Sequence, residues 1–200
     1  DIRRRRAERE QLVPWNLQLV ELGVRMIRRR LDLLAFLVPQ ARRVHAFLTG
    51  EKGSFNVTYQ SSLGQVLHEN DAVMKTHFLE RLAEVEAEEI ARGQSLLGPH
   101  RDDLIFYENG IDLRTYGSQG QQRTAILSMK MAAIDAYEQH LGTKPLLLLD
   151  DVMSELDGRR RDALVTAMEG GSQTFITTAN IDYFNETMLN KSDVIHLPLV

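Results

Sequence analysis

Hydrophobic positions recur at helical steps through the first part of the chain. Val20, Val24, Ile27, Leu31, Leu34 and Val38 fall at spacings of 4, 3, 4, 3 and 4, an a/d seam of about two and a half heptads. The seam predicts one long helix from Pro14 to about Val38, since proline is tolerated in a first turn. Pro39 is expected to end or kink it, with Gln40–Leu48 as a short helix closed by Gly50. Phe55, Val57 and Tyr59 alternate as in a short strand. A second amphipathic helix is predicted from about Asp71 to Arg92, with Met74, Phe78, Leu82 and Val85 on one face. Two long helices with complementary seams suggest a helical arm, although an ordinary helical bundle has the same periodicity.

After Gly93 the pattern changes. Leu104 and Phe106, then Ile111 and Leu113, flank Asn109-Gly110, a hairpin signal because both turn residues must accept positive φ. A helix is expected from about Gly120 to Leu141, stopped by Gly142 and Pro145. The continuous apolar run Leu146–Leu149 reads as a buried strand. A helix over Gly158–Met168 ending at Gly170-Gly171, a strand Phe175–Thr178, a short helix near Asp182–Leu189 and a strand Val194–Leu197 complete the order. Alternating strand and helix is the grammar of an α/β fold with a parallel sheet. The expected organisation is therefore a helical arm over 1–93 and an α/β part over 94–200.

Composition narrows the class. An apolar fraction of 43% with 26% charged residues suits a packed globular chain and excludes wholesale disorder. No apolar run reaches membrane-spanning length. Zero cysteines exclude a disulfide framework, a thiolate metal site and a thiol nucleophile, and point to cytoplasmic residence. The chain opens at Asp1 with neither methionine nor signal peptide, so a piece of a longer protein is expected. Residues 1–50 hold 11 arginines against 5 acids, a balance of +6, and the rest carries 13 − 23 = −10. The basic end could touch nucleic acid, or Arg25, Arg28, Arg29 and Arg30 could pair with the acidic run Glu84, Glu86, Glu88 and Glu89.

Three segments carry chemistry. Leu146–Leu149 delivers Asp150 and Asp151 to the carboxyl edge of a sheet, where α/β folds bind ligands. One carboxylate there suits a hydrated Mg²⁺ and the other a water-positioning role, although adjacent acids also cap helices. Gly117-Ser118-Gln119-Gly120-Gln121 opens a helix whose free amides could face an anion, or could form only a Ser/Gly cap. Ser154-Glu155-Leu156-Asp157 follows four residues after Asp150; Asp157 could simply cap the next helix. The six histidines never sit in zinc-ligand spacing. His100-Arg101-Asp102 lacks the asparagine that a kinase catalytic loop requires, Tyr107 standing in its place.

Taken together, Ser-x-Gly-Gln, an apolar strand ending in Asp-Asp, and Ser-x-Leu-Asp resemble the carboxyl half of an ABC-type ATPase head. Gly117–Gln121 matches the signature motif, Leu146–Asp151 the Walker B strand and Ser154–Asp157 the D-loop. With Gly98-Pro99-His100-Arg101-Asp102-Asp103-Leu104 upstream, and Pro14-Trp15 opening the arm, the chain is similar to the RecF family of recombination mediators. The resemblance implies an ATP-dependent DNA-binding protein with an SMC-like head, acting without base readout in DNA repair, gap filling, replication restart and the SOS response beside RecO and RecR. It implies that Asp150 holds Mg²⁺ and that Asp151 orients the attacking water. It also implies that Ser118, Gln119, Gly120 and Gln121 meet the ATP of the other protomer, and that Ser154, Glu155, Leu156 and Asp157 line an ATP-dependent homodimer interface. Thr177 or Thr178 would replace the usual switch histidine.

The motif G-x-x-x-x-G-K-[ST] is absent, so this P-loop NTPase fold lacks its Walker A nest for the phosphates. The 200 residues alone are expected to bind ATP poorly and not to turn it over. The alternatives are an SMC- or RecN-like head that bridges DNA, which the short arm argues against, or a non-hydrolysing binding module, which the retained Asp150-Asp151 pair argues against.

Overall fold

The computed structural model describes residues 9–50, 53–168 and 172–197. The elements are α1 (Val13–Thr49), β1 (Phe55–Gln60), α2 (Asp71–Arg92), β2 (Asp103–Glu108), β3 (Ile111–Asp112), α3 (Leu113–Tyr116), α4 (Gln119–Leu141), β4 (Leu147–Asp150), α5 (Gly158–Met168), β5 (Thr174–Thr177) and α6 (Glu186–Leu189). β1, β2 and β3 form one sheet in that order, and β4 pairs with β5 in a second. No helix among the described residues is long and apolar enough to cross a membrane.

The described chain packs as two compact units: one runs up to Phe36 and includes Val57–Phe106, the other comprises Leu37–Asn56 and everything from Tyr107 onward. This division differs from the expected break at 93/94. The long helix does not end at Pro39, and its last third packs with the carboxyl-terminal elements.

In the first unit the seam behaves as its spacing predicts. Val20, Val24 and Ile27 are buried against Met74, Phe78 and Leu82 of α2, with Leu63, Leu67 and Leu97 in the same cluster. α2 starts where Asn70 accepts from Val73 N and ends at Gly93 in the left-handed region, both local signals being present in the sequence. Arg28 and Arg30 are anchored elsewhere than on Glu84, Glu88 and Glu89. Arg28 bonds Asp71 and the Leu67 and Glu69 carbonyls, and Arg30 donates to Tyr59 and the Pro99 carbonyl. Glu84 and Glu88 instead pair within their own helix with Arg81 and Arg92, while Glu89 accepts from Ser95 and Leu96 N.

The Gly-Pro-His-Arg-Asp segment is held as a structural turn. Gly98 has φ +118°, its N–H donates to Ser62 Oγ, and Asp102 accepts from Tyr59 Oη at 2.5 Å and Ser62 N at 2.7 Å. Burial, reinforced by Asp102, pushes the Tyr59 phenol up to about 12. Asp102 is thus a hydrogen-bond hub and not a catalytic-loop base.

Pro39 lies inside α1, which runs unbroken to Thr49. Its ring removes one amide donor, and the cost is met by packing on either side, where Leu37, Val38, Ala41 and Leu48 are buried. Gly50 then caps α1 with φ +64°, as expected. The Asn109-Gly110 turn forms with both residues at positive φ, but its second arm is only two residues long. Leu113, expected in the strand, starts α3 and is 2% exposed. β4 and β5 are parallel, pairing Leu147 with Thr174 through Asp150 with Thr177. Their inner face joins Leu48, Leu127, Met131, Met153, Leu156 and Leu164 in the second core. The expected strand at Val194–Leu197 is absent: the segment has no regular structure, and Ile195 and Leu197 are exposed. Its apolar residues find no neighbouring strand to pair with among the described residues. The glycines Gly170 and Gly171, expected to stop α5, lie outside the described residues.

Candidate functional site: a strand-end carboxylate pair and a capped helix

β4 brings Asp150 and Asp151 to the carboxyl edge of the parallel pair, both exposed. The chain turns sharply there, with Asp151 in the left-handed region at φ +45°, ψ +27°, which no glycine relieves. Thr177, at the end of β5, lies between the two acids. Its hydroxyl donates to Asp150 Oδ1 at 2.5 Å and accepts from Asp151 N at 3.1 Å. Thr178 faces elsewhere, donating to the Asn180 carbonyl and accepting from Asn180 N. Of the two switch candidates only Thr177 touches the carboxylates.

A single exposed carboxylate beside a hydroxyl fits magnesium, which prefers one or two carboxylates plus water and phosphate oxygens to an all-protein cage. Thr177 occupies Oδ1 of Asp150, which leaves Oδ2 for such an ion. No cluster of three potential metal-ligating side chains occurs among the described residues.

The Gly117–Gln121 segment forms a fully capped helix start. Gly117 is required by space: a Cβ there would lie 2.5 Å from the Leu113 carbonyl oxygen. Ser118 is the N-cap of α4, its Oγ accepting from Gln121 N, while Gln121 Oε1 accepts from Ser118 N at 2.9 Å. This reciprocal capping box leaves the Ser118 hydroxyl proton and the amides of Gln119 and Gly120 at the helix mouth. The other end of the Gln121 amide donates to Glu108 Oε2 at 2.7 Å, so its side chain turns back into the protein.

The Ser154–Asp157 segment divides by role. Ser154 Oγ donates to both the carbonyl and Oδ2 of Asp151, tying this turn to the second carboxylate. Glu155 forms an ion pair with Arg123 on α4. Asp157 caps α5 by accepting from Arg160 N. Leu156, expected at a dimer interface, is 3% exposed in the second core. The D-loop resemblance places the whole Ser154–Asp157 segment at an interface and does not distinguish this apolar residue, which turns inward, from its polar neighbours. Among the described residues, no hydrogen bond or ion pair joins Ser118–Gln121 to Asp150 or Asp151. The Arg123–Glu155 pair connects the capped helix only to the turn between them. Arg161, one of the Arg159–Arg161 trio, stacks over Tyr183 and bonds the Met153 carbonyl, so it is a structural residue.

Sequence reasoning missed Glu108, His45 and Arg123. Each acts through a contact distant in sequence, and Glu108, next to a hairpin turn, reads as an ordinary exposed strand-end acid.

No family model matches the chain. It is 42% identical over 181 residues to the DNA replication and repair protein RecF of Halothermothrix orenii, covering 90% of this chain and 48% of that protein. It is 37% identical over 194 residues to the RecF protein of Bacillus subtilis, covering 97% and 52%. The solved structure of the recombination mediator protein RecF-ATPrS in the RecFOR pathway superimposes with a TM-score of 0.76 at 30% identity, over 90% of this chain and 48% of that one. The RecF-ATP structure gives 0.73, also at 30%, over 88% and 47%. The chain thus spans about half the length of the curated relatives it matches, and its fold is part of an ABC-type ATPase head. With the motifs in their expected elements, the chain resembles proteins of the RecF family along nine-tenths of its length.

Proposed function

We propose that this chain supplies the signature helix, Walker B carboxylates and D-loop of an ATP-gated DNA-repair mediator. The observation that carries the reading is the parallel pair β4–β5, which sets Asp150, Asp151 and Thr177 in one hydrogen-bonded group at a strand end. In this reading Asp150 holds Mg²⁺ on ATP and Asp151 orients the attacking water, its carboxylate held by Ser154. Magnesium supplies neutralisation of the phosphate charge.

The signature helix does not reach the carboxylates of its own chain, which supports a composite site. Ser118 and the amides of Gln119 and Gly120 meet the γ-phosphate of a second protomer, and Gln121 belongs to the same capped loop. ATP then closes a homodimer because its phosphates are contacted from both sides, and hydrolysis removes those contacts. Slow hydrolysis makes the closed state long-lived on DNA, which is bound without base readout. The names of the relatives and of the solved structures support a role in DNA replication, repair and recombination within a RecFOR pathway; we extend this to gap repair, replication restart and the SOS response, in the cytoplasm and beside RecO and RecR.

The phosphate-binding loop comes from the half of the protein that the relatives carry beyond this match. The outer face of β4–β5 suits such a completion: Leu146, Leu148 and Phe175 are each more than half exposed, whereas parallel sheets are ordinarily covered on both faces. The test is Mg-ATP binding and hydrolysis by these 200 residues alone and by the full-length protein. Silence alone, with ATP-dependent dimerisation and turnover at full length, is expected. Tight ATP binding by the 200 residues alone would overturn the assignment of the phosphate site.

A further inference from the structure

We infer that Glu108 latches Gln121 so that the signature loop keeps the shape it presents to ATP, making Gln121 and Glu108 positioning residues and not phosphate ligands. This rests on the ATPase reading above and assigns roles within the same site.

The Gln121 amide is committed at both ends. Its Oε1 accepts from Ser118 N and its Nε2 donates to Glu108 Oε2. The reverse orientation would set the amide NH₂ against a backbone N–H and the amide oxygen against a carboxylate, so the partners fix which end is which. A phosphate needs donors, and the donors this loop still offers are the Ser118 hydroxyl and the first amides of α4. Gln121 shapes that mouth from behind.

Glu108 is a built anchor. It is 8% exposed, and a carboxylate removed from water persists only with partners for its oxygens. Gln121 meets Oε2, and His45 Nε2 stands 3.4 Å from Oε1. His45 is 3% exposed and lies flat on Phe55, ring centroids 4.3 Å apart at 7°. The latch therefore joins the last third of α1, the end of β2 and the first turn of α4 inside the second compact unit. A solvent-exposed glutamine would need no such support merely to cap a helix.

The test uses full-length protein and reads the dimer dissociation constant at saturating Mg-ATP by sedimentation. Gln121→Glu sets two carboxylates against each other and is expected to weaken dimerisation at least tenfold. Combining it with Glu108→Gln restores a donor–acceptor pair with its direction reversed, and dimerisation is expected to return to within threefold of wild type. Single-variant dimerisation equal to wild type, or a double variant no better than the single, overturns the latch. A wild-type protein that does not dimerise on ATP overturns the ATPase reading itself, so the two failures are distinguishable. Circular dichroism melting separates both from simple unfolding: a Gln121→Glu protein that melts with wild type yet dimerises poorly supports positioning, and one that loses dimerisation only because it is unfolded at the assay temperature overturns it.

Discussion

Replacing Thr177 by valine isolates the contact that joins the two carboxylates. Valine keeps the β-branched shape that suits β5, so the strand is expected to survive and only the hydroxyl is lost. That hydroxyl donates to Asp150 Oδ1 and accepts from Asp151 N. The Asp151 amide retains the Thr177 carbonyl at 3.2 Å, so the substitution strands no backbone donor. What disappears is chiefly one hydrogen bond to a carboxylate, worth roughly 1.5–3 kcal/mol where sheltered. Here both residues are exposed and water replaces part of it, which leaves about 1 kcal/mol. At about 1.4 kcal/mol per tenfold, hydrolysis should slow about fivefold. The assay is single-turnover Mg-ATP hydrolysis by full-length protein, with Thr178→Val alongside. Among the described residues the Thr178 hydroxyl hydrogen-bonds only Asn180, so its variant should stay within about twofold, well under one hydrogen bond's worth. Equal slowing by the two variants, or a larger effect at Thr178, would refute the assignment of Thr177 as the residue that couples the acids.

Asp150→Asn should abolish Mg²⁺-dependent hydrolysis, measured as phosphate release, because the exposed carboxylate that would face the ion is lost. Asp151→Asn should instead accumulate an ATP-bound dimer visible by sedimentation, since the amide keeps the turn's hydrogen bonds without activating water; rapid turnover by this variant would contradict the role. Ser118→Arg should prevent ATP-dependent dimerisation by filling the mouth of α4, and an unchanged dimer would count against the signature assignment. Tyr59 supplies a pH signature: its phenol is held at about 12 against 10 for an unfolded chain. Its contribution is therefore complete below pH 10 and is lost as pH rises through 12. Urea unfolding between pH 9 and 12 should show a steeper fall in stability for wild type than for Tyr59→Phe, and parallel curves would exclude the effect.

How legible these features were depends on the range of the interactions that make them. The ends of α2 were readable because Asn70 and Gly93 act within a few residues of themselves. The Asn109-Gly110 turn and the Val20–Val24–Ile27 seam were readable for the same reason. Pro39 misled, because a local rule about helix breaking was overridden by burial of Leu37, Val38 and Ala41 around it. Val194–Leu197 misled in the opposite direction: a short run of strand-forming residues does not make a strand without a neighbour to pair with. At the site, Ser118 and Asp157 cap their helices as their positions suggested, and Asp150 and Asp151 stand at the strand end to which the apolar run of β4 leads. Thr177 could not be separated from Thr178 by sequence, since the choice depends on the register of β5 against β4. Glu108 and His45 were invisible because their contact spans distant parts of the chain and neither belongs to a motif.

Asp151 has one further consequence. A non-glycine residue in the left-handed region is strained by about 1 kcal/mol, and glycine at that position would relax the backbone while deleting the carboxylate. Asp151→Gly is therefore a change that a search for more thermostable variants would favour and that a growth selection under DNA damage would reject. On the proposed role of Asp151, the same turn sets folding robustness against chemistry, so a library scored by melting temperature alone would drift toward inert proteins at this residue.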